Sequence, residues 1–258
     1  MKTRIAIIGG TGLEESFPEG TKTRIGTPFG PSPFLTLVST GSKDVIFMPR
    51  HGERHTLPPH RINYRANIWA LHSMGVERIL ASNAVGAINP DIRADDIVIP
   101  SDFIDFTRFR ATTFYDEAPV THVDASNVYC PELRRVLFGT AEQEGIKVHR
   151  EGIYLCTEGP RYDSPAEIRM FRSWGCDVVG MTGLPEVVLA HELGMCYASL
   201  CYITNMAAGM EAHLSAEDIS SRGRRMTDKL QRILLKAVEV TPRKRSCHCS
   251  ESLEGARV

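Results

Sequence analysis

No apolar run in the 258-residue sequence approaches the roughly 18 residues that a membrane span needs. A secretory leader is not expected either, because the apolar stretch 5–8 is far shorter than an h-region and runs straight into glycines. Charge of one sign is not in surplus. Thirty Lys plus Arg face thirty-one Asp plus Glu, a net charge of -1, so the chain-wide positive field of a nucleic-acid binder is missing. No Ser/Gly-rich linker divides the chain, and no internal repeat is evident. A composition of 42% hydrophobic and 24% charged residues is that of an ordinary globular protein. What remains is a soluble, folded, cytoplasmic protein with neither a nucleic-acid nor a membrane partner.

Several catalytic and cofactor signatures are missing too. Gly9-Gly10-Thr11-Gly12 is not a dinucleotide fingerprint, since Glu14 stands where a glycine would be needed, and no Lys-Ser/Thr follows to make a Walker loop. There is no Gly-x-Ser-x-Gly elbow and no His-Glu-x-x-His. Cysteine is present seven times but sparsely. Cys130, Cys156, Cys176, Cys196 and Cys201 sit singly in apolar stretches and read as packed thiols. Cys247 and Cys249 bracket a histidine in a polar tail, and no second pair is spaced to complete a four-ligand zinc site. A disulfide or a surface thiol pair is expected there, and no metal.

Short β-branched or apolar runs at 2–8, 45–48, 78–82, 97–100, 147–156, 177–180 and 196–204 read as strands. Apolar residues at helical spacing over 63–74, from Pro131 to Gly145, over 165–174, over 185–193 and from Ser215 onward read as helices. The start at Ser215 resembles a capping box. Alternating strands and helices predict one α/β domain, a central mixed β-sheet flanked by helices, over residues 1–240. Segment 106–129 lacks periodicity and is expected to be a long functional loop. Residues 241–258 carry no apolar pattern and are expected to form a mobile polar tail.

Five predicted strand ends carry groups suited to a ligand. Gly9–Gly12 offers backbone N–H groups and the Thr11 hydroxyl to an anion. Arg50 brings a forked set of donors, with His51 beside it. Segment 82–87 is made of small residues that admit close backbone approach, and Gly180-Met181-Thr182 precedes a helix whose positive end would favour an anion. Asn205 ends the last strand with an amide that both donates and accepts. Together they suit an anion bound beside a neutral, planar, hydrogen-bonding ligand. Glu158 and Arg161, flanking a turn, read as a structural ion pair, and His60, His72, His149 and His191 as surface or packing residues.

Gly-Gly-Thr-Gly at 9–12, Pro-Arg-His-Gly at 49–52, Asn-Tyr-Arg-Ala-Asn-Ile-Trp-Ala-Leu at 63–71, Glu-Gly-Pro-Arg at 158–161 and the eleven residues 180–190 strongly resemble the methylthioadenosine and purine nucleoside phosphorylase family. The resemblance implies a trimeric α/β enzyme, or a dimer of trimers. It would cleave a purine nucleoside with inorganic phosphate as co-substrate and would need no other cofactor. It implies that Thr11, Arg50, His51, Asn83, Ala84 and Thr182 bind phosphate and that Met181 lies against the ribose. Tyr162 would pack on the purine, and His122 would reach a neighbouring subunit's substrate.

One departure from the family pattern bears on specificity. Methylthioadenosine phosphorylases carry Asp-Tyr-Asp where this sequence has Asn205-Met206-Ala207. A carboxylate only accepts, which suits a 6-amino group, whereas Asn205 can donate to O6 or N7 of a 6-oxopurine. The Asn-x-Ala-Ala-Gly run resembles the methylthioinosine branch. Asn205 is therefore expected to act catalytically. The apolar Ala216 and Ile219 favour a methylthio group over a 5′-hydroxyl. Asp163, replacing a small Ser, is expected to tune base recognition. A methylthioadenosine phosphorylase releasing adenine is the alternative.

Overall fold

The computed structural model describes residues 3–10, 13, 19–40, 43–211 and 215–258. The first half contains β1 (Thr3–Gly9), β2 (Thr21–Thr23), β3 (Gly26–Thr27), β4 (Gly30–Pro31), β5 (Leu35–Thr40), β6 (Lys43–Pro49), α1 (Tyr64–Ser73), β7 (Arg78–Ala87), β8 (Ile97–Val98) and β9 (Asp102–Phe106). The second half continues with α2 (Pro131–Gln143), β10 (Val148–His149), β11 (Ile153–Thr157), α3 (Pro165–Ser173), β12 (Val178–Gly180), α4 (Glu186–Glu192), β13 (Cys196–Met206) and α5 (Ala216–Val240). Eleven strands share one mixed sheet whose main path is β10-β8-β13-β7-β1-β6-β5-β2.

The central strands read as largely apolar runs because helices cover both faces of the sheet. Ile5 and Ile7 of β1 face α2 and α5, while Ala6 and Ile8 face α1 and α4. Local chemistry fixes where the helices begin. The Asn63 side chain accepts from Ala66 N at 3.1 Å at the start of α1. Ser164 and Glu167 form a reciprocal capping box on α3, and such a cap contributes about 1 kcal/mol. No helix among the described residues is long and apolar enough to cross a membrane.

The feature that positions the site is a fork. Strand β7 runs parallel to β1 on one side and to β13 on the other, and its end also pairs antiparallel with β12. From β12 the sheet branches through β11 to β9. The three diverging strands β7, β12 and β13 leave a cleft between their ends. In β13 the register shifts between Ile203 and Asn205, a one-residue bulge at Thr204.

Three expectations need correction. The run 147–156 is not one strand but β10 and β11, separated around Gly152, where an added Cβ would lie 2.6 Å from Val98. The polar tail is docked on the body. Cys249 and Ala256 are buried, Arg257 bridges Thr121, and Ser246 donates through its N–H and its hydroxyl to Glu132. Glu158 and Arg161 do not pair with each other. Glu158 accepts from Arg110, and Arg161 donates to Glu167, so each charge is already paired elsewhere. The segment 107–120 has no strand or helix, as expected, yet is anchored. Arg110 donates to the Leu184 carbonyl at 2.6 Å, and Phe114 packs on Phe29 and Trp69.

Candidate active site

A cavity of about 290 Å³ opens at the fork, near the lower end of ligand-pocket sizes. All five strand-end loops line it, through Gly10, Arg50 and His51, Ala84–Gly86, Gly180–Thr182, and Thr204 with Asn205. Thr11 lies outside the described residues.

Arg50 follows β6 and is 1% exposed. Glu186, at the first residue of α4 and 0% exposed, grips it in a fork, with Nε to Oε2 and Nη2 to Oε1 both at 2.7 Å. Nη1 donates to the Ser82 carbonyl at 2.8 Å. Three of the five guanidinium N–H groups are thereby used, and two remain for a ligand. Burial works against the arginine's charge, but Glu186 outweighs it and the pKa is raised further. Tyr197 of β13 donates to Glu186 Oε1 at 2.7 Å and fixes the carboxylate in turn. Glu186 also stands in the first turn of the seven-residue α4, whose N-terminus has no side-chain cap.

His51 is held by a clasp. Leu57 N donates to the His51 carbonyl at 2.9 Å, and His51 Nδ1 lies 2.8 Å from the Leu57 carbonyl. A carbonyl only accepts, so Nδ1 carries the proton and Nε2 keeps a lone pair. Burial, with His55 stacked 3.9 Å away and Arg50 alongside, lowers the pKa to about 3. The chain curls back to Leu57 through Gly52, Arg54 and His55, all at positive φ.

Thr182 is oriented from below. Its Oγ1 accepts from Asn83 Nδ2 at 2.9 Å, which leaves the hydroxyl proton for an acceptor in the cavity. Ser199 occupies the Asn83 Oδ1. Asn83 thus positions Thr182 with one of its two amide hydrogens, and it does not itself line the cavity, where a phosphate contact is expected of it. Tyr154 Oη accepts from Thr182 N at 3.3 Å and Gly183 N at 3.1 Å. Its ring fits only because residues 180 and 183 lack side chains: a Cβ on Gly180 would lie 2.3 Å from Tyr154 Oη. Sequence reasoning missed Glu186, Tyr197, Tyr154 and Ser199.

At the other end of the cavity, the bulge at Thr204 aims Asn205. Its Oδ1 accepts from Thr204 Oγ1 at 2.7 Å, and Nδ2 donates to the Met206 carbonyl at 2.8 Å, leaving one amide hydrogen free. Ala207, Tyr162 and Asp163 also line the cavity. Tyr162 is 43% exposed. Burial raises the Asp163 carboxyl pKa, with nearby Glu167 adding to it. Met206 does not line the cavity; its N–H donates to the Glu211 carboxylate at 3.1 Å. Ala216 is exposed at the start of α5 and does not line it either, whereas Ile219, one turn on, does. His122 is exposed and lies away from this cavity, its N–H donating to the Ala256 carbonyl at 2.8 Å.

Comparisons with known proteins agree with this geometry. A family model described as the phosphorylase superfamily matches residues 4–239. A probable S-methyl-5′-thioinosine phosphorylase of Methanopyrus kandleri is 48% identical over 99% of this chain and 100% of its own length. The 6-oxopurine nucleoside phosphorylase of Pyrococcus furiosus is 45% identical over 98% of each chain. A solved structure of methylthioadenosine phosphorylase from Schistosoma mansoni, in complex with adenine, superposes with a TM-score of 0.93. It is 30% identical, covering 99% of both chains.

Proposed function

Because the chain belongs to the phosphorylase superfamily, we propose that it cleaves a 6-oxopurine nucleoside with inorganic phosphate. The substrate we assign is S-methyl-5′-thioinosine, giving hypoxanthine and S-methyl-5-thioribose 1-phosphate, with inosine and guanosine as parallel substrates. The observation that carries this reading is the Asn205 amide, bulged into the cavity with a free N–H and with no carboxylate at 206 or 207.

Phosphate sits between the two free N–H groups of Arg50, the Thr182 hydroxyl, the backbone at Gly10 and Ala84, and Thr11. His51, neutral and presenting a lone pair, accepts a hydrogen bond from the P–O–H of a hydrogen phosphate rather than pairing with its charge. The phosphate oxygen attacks the anomeric carbon as the bond to the purine breaks. Positive charge builds on the sugar, and the adjacent dianion stabilises it. Electron density moves onto the departing base, where Asn205 donates to N7 or O6. Met181 faces the ribose, Tyr162 covers the base, and Ile219 offers the methylthio group an apolar wall. Phosphate is the co-substrate and the reading requires no organic cofactor. The active assembly is a homotrimer, or a pair of them, in which His122 serves a neighbouring subunit's site.

S-Methyl-5′-thioadenosine has one feature in its favour. A protonated Asp163 could donate to an adenine ring nitrogen, and burial raises its pKa. The test is base release from methylthioinosine, inosine, guanosine and methylthioadenosine, with and without phosphate. Phosphate-dependent hypoxanthine release well above adenine release supports the assignment. Dominant adenine release overturns the base preference, and release independent of phosphate overturns the reaction.

A further inference from the structure

Four of the seven cysteines, distant in sequence, meet at one point on the side of the sheet away from the cavity. Cys130 is the residue before α2, Cys196 opens β13, and Cys247 and Cys249 come from the docked tail. Their Sγ atoms all lie within 4.8 Å of one another, with Cys196 and Cys247 at 3.3 Å, and all four are free thiols. Four thiolates around a zinc ion, with bonds of about 2.3 Å, stand about 3.8 Å apart, a spacing within these limits.

From this geometry we infer that Cys130, Cys196, Cys247 and Cys249 form a structural zinc site. The donor set is complete and closed. Cys130, Cys196 and Cys249 are at most 5% exposed, so no position is left for water or substrate. The intervening His248 is turned outward, its Nδ1 2.8 Å from the Glu251 carboxylate, and does not compete as a ligand. Binding converts four thiols to thiolates and releases four protons, leaving a core of net charge -2. Two features offset that charge: the N-terminal end of the thirteen-residue α2, and the basic run Arg243-Lys244-Arg245 that leads into Cys247.

The site explains how a tail without apolar patterning is held. From Cys249 the chain goes on to the Ser252 hydroxyl bond with the His191 carbonyl, the Ala256 bond with His122, and the Arg257 bridge with Thr121. Zinc would thus tie the end of the chain, and through it the 120–122 segment, to the start of β13. None of the four cysteines lines the cavity, so the site is separate from the chemistry.

The experiment measures bound metal and thiols on the full chain, purified in reductant without added metal or chelator. The expected result is one zinc per chain, with all seven cysteines titrating as thiols after denaturation in chelator. Replacing Cys247 and Cys249 together with Ser should abolish the zinc, while Cys176→Ser, at a buried cysteine outside the cluster, should leave it unchanged. If the double variant does not fold, the reduced wild-type chain stripped of metal is loaded with Co2+. Tetrahedral thiolate absorption in the visible then supports the site. A chain that holds no zinc as purified and takes up neither zinc nor cobalt overturns the inference. So does a metal-free native chain in which the four residues are oxidised as two disulfides.

Discussion

Glutamate 186 never touches the space a ligand would fill, yet its replacement by Gln should disable phosphate use. The wild-type carboxylate takes two guanidinium N–H bonds and one tyrosine O–H bond, all at 2.7 Å, with Glu186 0% and Arg50 1% exposed. Glutamine keeps one acceptor and turns an NH₂ toward a guanidinium N–H. Removing one partner of a buried ion pair costs about 3–5 kcal/mol, and the near-isosteric amide should fall at about 3. In a domain of this size, each kcal/mol shifts Tm by about 2–4 °C, so Tm should drop by about 6–12 °C. The freed guanidinium would no longer present its two remaining donors in place, and a displacement of about 1 Å can cost about 10²-fold in rate. Phosphate titration at saturating nucleoside should therefore show kcat/KM for phosphate falling about 100-fold, with KM for nucleoside changed much less. A variant whose Tm drops as stated but whose phosphate kcat/KM stays within about threefold of wild type would refute the role given to Arg50. Should Glu186→Gln prove insoluble, Tyr197→Phe removes a single hydrogen bond to the same carboxylate. It should show the same direction of change at about 1.5–3 kcal/mol.

Replacing Asn205 with Asp takes the donor from the base and should lower hypoxanthine release by about 10²–10³-fold, while adenine release rises relative to it. An unchanged ratio in side-by-side assays would contradict the assigned role. His51, held neutral with its pKa lowered to about 3, shapes the acid limb of stability. The unfolded chain protonates this histidine near 6.5 and the folded one does not, so stability is complete above that pH and is lost as pH falls toward 3. His51→Asn should flatten the Tm profile between those values. A profile parallel to wild type would count against a buried neutral imidazole, since the residual slope from His55 and His191 is common to both proteins. Gly180→Ala places a Cβ 2.3 Å from Tyr154 Oη and should cost about 1–3 kcal/mol while displacing Thr182. Thermal melts and phosphate KM read the two effects separately.

Which parts of this molecule could be read from its sequence follows from the range of the interactions. The run Ile5–Ile8 is apolar throughout, and 196–203 is apolar but for Ser199, because both faces are covered, and they stand out without any partner being known. Strands β2 to β5 could not be seen in the same way. They are short and rich in Thr, Gly and Pro, and among their described residues only Leu35 is fully buried. The ligand-facing groups lie at strand ends and advertise themselves through Arg50, Thr182 and Asn205. Their supports do not, since Arg50 and Glu186 are 136 positions apart and Asn83 and Ser199 are 116 apart. The same distance hid the cysteine cluster. Cys247 and Cys249 look incomplete until the sheet brings Cys130 and Cys196 beside them.

The bulge at Thr204 makes β13 a strand of two phases. Up to Tyr202 its even-numbered residues face one helical layer, while Tyr197, Cys201 and Ile203 face the other. One unpaired residue then resets that alternation before the strand reaches the cavity. Without that bulge the same run of residues would bring Asn205 opposite Ala87 and turn it to the other side of the sheet. Base recognition here is thus encoded in residue count as much as in residue identity. A variant library that changes only side chains would never sample that variable, whereas one that changes the number of residues between Ile203 and Asn205 would.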